Sequence, residues 1–161
     1  MQTFLGSLML TWALSAAADA DHSAADSHGA WPQWRGPLGS GVAPNADPPV
    51  EWSENKHIRW KTALPGKGHS TPIVWGDRVF LTTAIPYGDP VKPRFVRPGA
   101  HDNLASTFQH EFAVLAVSRK TGKVLWQKTL HKQIPHEAGH VTASLASASP
   151  VTDGDHVFAF F

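Results

Sequence analysis

Apolar residues in this chain come in short runs divided by glycine and proline. In the run Phe112-Ala113-Val114-Leu115-Ala116-Val117 every position is apolar. Side chains of a strand alternate between two faces, so an unbroken apolar run predicts a strand covered on both. Val157-Phe158-Ala159-Phe160-Phe161 predicts the same. Pro72-Ile73-Val74 and residues 78–83 flank Trp75-Gly76-Asp77, a turn of hairpin length. Val151 and Val157 flank Asp153-Gly154-Asp155, whose Asp-Gly pair suits the primed hairpin turns. Residues 118–123 read as a turn and 124–128 as the return strand; 58–62 read as a strand, and Val50-Glu51-Trp52 as a short one. Strands buried on both faces ask for sheets sandwiched between sheets, which radial stacking supplies.

Two phrases occur twice, in the same order. Residues 58–64 (Ile-Arg-Trp-Lys-Thr-Ala-Leu) return as 124–130 (Val-Leu-Trp-Gln-Lys-Thr-Leu), and residues 70–80 return as 148–158. A repeat of this size is a unit that buries its apolar face only by stacking on a neighbour. From Trp60 to Pro72 is 12 residues and from Trp126 to Pro150 is 24, so the second copy carries an insertion over about residues 131–141. Residues 85–109, rich in proline with Lys92, Arg94 and Arg97, form a second long irregular insertion.

Composition narrows the class. The chain has 161 residues, room for one ordinary domain. Lys+Arg total 14 and Asp+Glu 13, a net charge of +1, which recruits neither nucleic acid nor an anionic membrane. Thirteen Gly and thirteen Pro suit a turn-rich β protein. With no Cys there is no disulfide, thiolate nucleophile, Cys-bound zinc or Cys-linked lipid anchor.

The N-terminus reads as a secretory signal. Residues 4–14 are an apolar run too short to span a bilayer, and Ala18-Asp19-Ala20 fits an A-x-A cleavage site before Asp21. Met1-Gln2-Thr3 carries no basic residue other than the α-amine. The expected organisation is a signal peptide over 1–20, a flexible linker over 21–30, and a folded part over 31–161. That part opens with Trp31-Pro32-Gln33-Trp34-Arg35-Gly36-Pro37, whose prolines and glycine exclude a helix and whose indoles are expected to pack on a sheet.

Residues 116–126 (Ala-Val-Ser-Arg-Lys-Thr-Gly-Lys-Val-Leu-Trp) resemble the tryptophan-docking motif of quinoprotein propellers, A-x-D-x-x-T-G-x-x-x-W. Ser149-Pro150-Val151 with Asp153-Gly154 and Val157-Phe158 is similar to a phrase of the same pyrroloquinoline-quinone-like (PQQ-like) repeats, and W-P-Q-W-R-G-P is similar to the start of exported propellers of this family. The resemblance covers residues 31–161 and implies a β-propeller of four-stranded blades wedged together by Trp side chains. On it, Ala116, Thr121, Gly122, Trp126 and Trp60 are structural motif residues. Ser118 stands where the motif has Asp, which removes a side chain that usually fixes the turn. The expectation is an all-β fold: a partial β-propeller of about two PQQ-like four-stranded antiparallel blades behind an N-terminal signal helix. A ring needs at least about four blades, so the chain reads as the N-terminal portion of a longer protein, or as one that oligomerises to close a ring. A strand ending at Phe161 would leave an apolar edge open to pairing.

Candidate chemistry is sparse. His136-Glu137-Ala138-Gly139-His140 matches H-E-x-x-H, which holds zinc only on a helix, where i and i+4 share a face. Pro135 and Gly139 argue against that helix, so His136, Glu137 and His140 are disfavoured as metal ligands. His101, Asp102, Asn103, His110 and Glu111 end the other insertion. If both insertions reach one face, His101, His110, His136 and His140 form a His-rich rim for a ligand or partner. Trp75, in a turn, is a further rim candidate for stacking. No Ser has a paired base in a recognisable frame, and no phosphate-binding Gly loop is present.

The reading is an exported, periplasmic or secreted, non-catalytic propeller module that binds or scaffolds a protein or small ligand on its face, beside the remaining blades. No cofactor and no catalytic residue is identified. The alternative implied by the resemblance is a quinoprotein dehydrogenase using PQQ with calcium, its active-site residues lying mostly in other blades.

Overall fold

The computed structural model describes residues 29–94 and 102–161. The expected signal peptide and His101 lie outside the described residues, as does nearly all of the expected linker. Among the described residues eight strands follow in chain order: β1 (Ile73–Trp75), β2 (Arg78–Tyr87), β3 (Asn103–Leu104), β4 (Gln109–Ser118), β5 (Val124–Gln133), β6 (Gly139–His140), β7 (Val151–Thr152) and β8 (Val157–Phe158). All pairings are antiparallel: a four-stranded sheet β1-β2-β4-β5 and two-stranded sheets β3-β6 and β7-β8. The protein is all-β over the described residues, and no helix there is long and apolar enough to cross a membrane.

The all-apolar run sits at the centre of the main sheet. β4 lies between β2 and β5, and residues 112–118 are buried on both sides of the pleat. Phe80, Ala116 and Trp126 share a row across β2, β4 and β5, so they face one side; Leu115, Ala113 and Val117 face the other. Residues 144–161 cover the first face. There Thr82 Oγ1 donates to the carbonyls of Ala146 (3.4 Å) and Ala148 (3.3 Å), and Phe161 meets Phe112 edge-on at 5.2 Å. Residues 60–66 run along the second, with Thr83 Oγ1 donating to the Pro65 carbonyl at 2.6 Å.

The repeats meet through tryptophan and glycine. Trp60 donates Nε1–H to the Arg119 carbonyl at 2.9 Å, and its ring lies where a Cβ on Gly122 would come within 2.6 Å. Trp75, in the first hairpin, lies against Gly154 of the second in the same way, at 2.6 Å. Trp75 and Val157 both pack on the core of Ile73, Phe80 and Ala116. Trp31 exchanges two backbone hydrogen bonds with Val74 (2.8 and 2.9 Å), and the next carbonyl, of Pro32, accepts from Thr152 N at 2.9 Å. The opening segment thus ties β1 to β7.

Several sequence expectations need correction. Among the described residues one complete four-stranded sheet is present, not two; the second repeat contributes the hairpin β7-β8. Residues 58–62 and 50–52 form no strand. A strand is defined by a neighbouring ladder, and no strand runs alongside residues 58–62 among the described residues; side-chain bonds hold the segment instead, Thr62 Oγ1 donating to the Gly122 carbonyl at 2.6 Å. The run 157–161 is strand only at its start, and Phe158 and Phe160 are 51% and 76% exposed, because β8 has one neighbour where β4 has two. The first hairpin turns on Gly76-Asp77, with Gly76 at φ 53°. The second has a four-residue loop instead of a primed turn. Asp153 Oδ1 accepts from the amides of Asp155 (3.0 Å) and His156 (2.7 Å), and this local side-chain bonding widens the loop. Of the two opening indoles, Trp31 packs on Gly36 while Trp34 stays exposed beneath the Arg35 guanidinium.

Ser118 holds the turn over residues 118–123, where the resembled motif has Asp. Its Oγ accepts from Thr121 N at 3.2 Å, and its backbone bonds Lys123 O and Gly122 N at 2.8 Å each. Gly122 has φ +73°, which only glycine adopts without strain.

Candidate functional site

The two insertions meet. The first folds back on itself, Val91 N donating to Thr107 O at 2.7 Å, and then supplies β3. The second supplies β6. Asn103 pairs with His140 and Leu104 with Gly139, extended by Val141 N to Asp102 O at 2.7 Å. Ser106 Oγ adds a bond to the Glu137 carbonyl at 3.0 Å. Between this small sheet and the end of β2 and β4 lies a cleft of about 460 Å³. Leu104, Phe108 and Leu145 give it apolar walls; Lys67, His110 and His140 give it polar ones.

The two histidines are prepared differently. His110 Nδ1 lies 3.1 Å from the Phe108 carbonyl, an acceptor, so Nδ1 carries the proton and Nε2 keeps its lone pair. Burial pushes the His110 pKa down, partly opposed by the bond to Phe108, and keeps the ring neutral at pH 7. His140 Nδ1 accepts from Thr142 N at 3.2 Å and meets Thr142 Oγ1 at 2.8 Å, which places the neutral ring's proton on Nε2. The cleft therefore offers one imidazole acceptor, one imidazole donor and Lys67 on a mostly apolar lining to which Ser106, Thr107 and Ser144 add further polar groups. Lys67 reaches it because its backbone bridges to Ala84 of β2, at 3.0 and 3.1 Å.

Of the rim candidates, the structure brings His110 and His140 to one cleft. His136 is exposed on the loop before β6 and does not line it. Trp75 is engaged between the two hairpins against Gly154. Residues 136–138 are not helical and His140 is in β6, so H-E-x-x-H lacks the helix that would set both imidazoles on one face. Among the described residues, no three His, Asp or Glu side chains converge as a cation site. Lys67, Leu104, Phe108 and Leu145 escape sequence reasoning, since none belongs to a motif; Lys67 carries a signal only in preceding the repeated hairpin.

Beside the cleft, Glu111 is committed to a local network. It pairs with Lys132 and accepts from Thr129 Oγ1 at 3.0 Å, and these bonds, Lys132 first, hold its carboxyl below the usual range. The Lys132 ammonium lies 5.2 Å from the Tyr87 ring centroid, and Tyr87 donates to Gln109 Oε1 at 2.9 Å. The carboxylate neighbouring His110 in sequence is therefore bound to Lys132.

No family model matches the chain, nor does any curated protein or solved structure.

Proposed function

We propose that this chain is an exported quinoprotein-like β-repeat module that binds its ligand without transforming it, and that the ligand is a small molecule with an apolar body and a polar end. The observation that carries this is the pairing of β3 with β6, which joins two insertions distant in sequence around one cleft. A concave, mostly apolar site with a few polar groups is the usual form of a small-molecule site, and about 460 Å³ falls in its size range. His110 and His140 would orient the polar end, as acceptor and donor respectively. Lys67 would favour a ligand whose polar end is anionic. Export rests on the N-terminal apolar run and Ala18-Asp19-Ala20.

An amphipathic-fragment titration of ¹⁵N-labelled protein tests the binding half. Saturable shifts confined to residues 104–110 and 139–145 are expected; shifts scattered over the surface, or none, overturn it. Pyrroloquinoline quinone and Ca²⁺ with a dye acceptor should give no turnover, and dye reduction would establish the catalytic alternative instead. In an exporting host the mature protein should begin at Asp21.

A further inference from the structure

The polar groups of the cleft differ in what each has left to offer a ligand. Ser106 directs its hydroxyl proton to the Glu137 carbonyl at 3.0 Å. Ser144 is occupied within the chain: its Oγ accepts from His69 N (3.0 Å) and Ala146 N (3.3 Å) and lies 3.0 Å from Ser147 Oγ. The Thr107 hydroxyl acts either as donor or as acceptor. Selectivity therefore falls to the two imidazoles and Lys67. With its Nδ1 proton on the Phe108 carbonyl, His110 has Nε2 left as an acceptor. With Nδ1 engaged by Thr142, His140 has Nε2–H left as a donor. Lys67 is a second donor and a cation. His110 stands on β4 and His140 on β6, the two sides between which the cleft lies.

We infer that the ligand class is a phenolic carboxylate: a flat apolar body with a carboxylate at one end, met by Lys67 and His140, and a phenol hydroxyl at the other, donating to His110 Nε2. The inference rests on the reading of the cleft as a ligand site and adds which ligand that site selects. A donor and an acceptor on opposite sides of a cleft match a ligand that is polar at both ends. Burial keeps His110 neutral, so its Nε2 accepts, and a ligand without a proton to give leaves a desolvated acceptor unpaired. A phenol, with a pKa of about 10, is a stronger proton donor than an aliphatic alcohol. At the other end two donors suit the two oxygens of a carboxylate better than the three oxygens and higher charge of a phosphate. Between the ends, Pro86, Phe108 and Pro135 give flat apolar walls, which fit an aromatic ring. A cleft of about 460 Å³ is at the small end of ligand sites, the size for one ring with a short side chain.

Four probes titrated into the ¹⁵N-labelled intact chain test the class: 4-hydroxycinnamate, cinnamate, methyl 4-hydroxycinnamate and methyl cinnamate. The first should bind about tenfold more tightly than cinnamate, which lacks the hydroxyl, and than its own ester, which lacks the charge. Its shifts should fall at residues 104–110 and 139–145. His110→Phe should equalise 4-hydroxycinnamate and cinnamate, and Lys67→Met should narrow the gap between acid and ester. The probe series on the parent chain decides the class even if a variant fails to fold. Equal affinity of all four at the cleft would overturn the phenolic carboxylate and leave the cleft a general apolar site. Binding of other amphipathic fragments there, but of none of these four, would overturn it as well. Failure of every fragment would remove the cleft as a ligand site. A hydroxyl preference that survives in folded His110→Phe would overturn the role of His110.

Discussion

The indole N–H of Trp60 donates to the Arg119 carbonyl at 2.9 Å, across 59 residues of chain, while its ring occupies the place a Cβ of Gly122 would take. Together with the Thr62 hydroxyl on the Gly122 carbonyl, this contact fixes a segment outside the strands to the turn of a four-stranded sheet. The expected cost of Gly122→Ala is about 2–4 kcal/mol, combining left-handed strain with overpacking. Trp60→Phe keeps only a smaller aromatic ring and loses the donor, and should cost at least about 1 kcal/mol. Urea denaturation of both variants measures these; a Gly122→Ala midpoint equal to the parent's would mean that ring and turn do not touch.

Ser118 performs in the turn what the resemblance assigns to an aspartate. Its hydroxyl oxygen accepts from Thr121 N. Ser118→Ala should destabilise by about 1 kcal/mol, and Ser118→Asp, which restores an acceptor, should recover that loss. Thermal melts of the three proteins decide it, the order Asp ≈ Ser > Ala being expected.

The readable parts of the fold share a physical reason. β4, β5 and the hairpin β1-β2 are written locally, in an unbroken apolar run and in Gly-containing turns. Residues 58–62 have the composition of a strand but lack its neighbour, and hydrogen-bond ladders are not a property of one segment. The cleft was hidden for the converse reason. Asn103-Leu104 and Gly139-His140 have no alternation to announce a strand, yet they pair because the ends of β2, β4 and β5 bring the two insertions together. His110 and His140 were visible as residues; their meeting was not. Lys67 enters the cleft only through its bridge to Ala84.

Burial of His110 sets a pH dependence. Its pKa is lowered in the folded chain from an ordinary 6.5, so between the two values the unfolded chain binds more protons. Its neutral form supports stability fully above pH 6.5, and that support is lost as pH falls through the depressed folded value. His110→Gln should flatten the decline in denaturation midpoint below pH 6.5. A variant that declines as steeply as the parent would assign the loss to other groups.

Gly139 lines the cleft, and a Cβ there would meet nothing within 4 Å. Its φ is not positive, so a larger residue meets no backbone strain. Gly139→Leu should change stability by about 0.5 kcal/mol or less while filling the space a ligand would use. Fragment-induced shifts at residues 104–110 should then vanish, and their persistence would place binding elsewhere.

The stacking of one repeat upon the next, indole against glycine, is read most directly from nuclear Overhauser contacts. Trp60 ring protons should show cross-peaks to the Gly122 α-protons, and Trp75 ring protons to those of Gly154, both glycines shifted upfield by the rings above them. Glycine α-protons at their random-coil positions, with neither cross-peak present, would contradict the stacked arrangement.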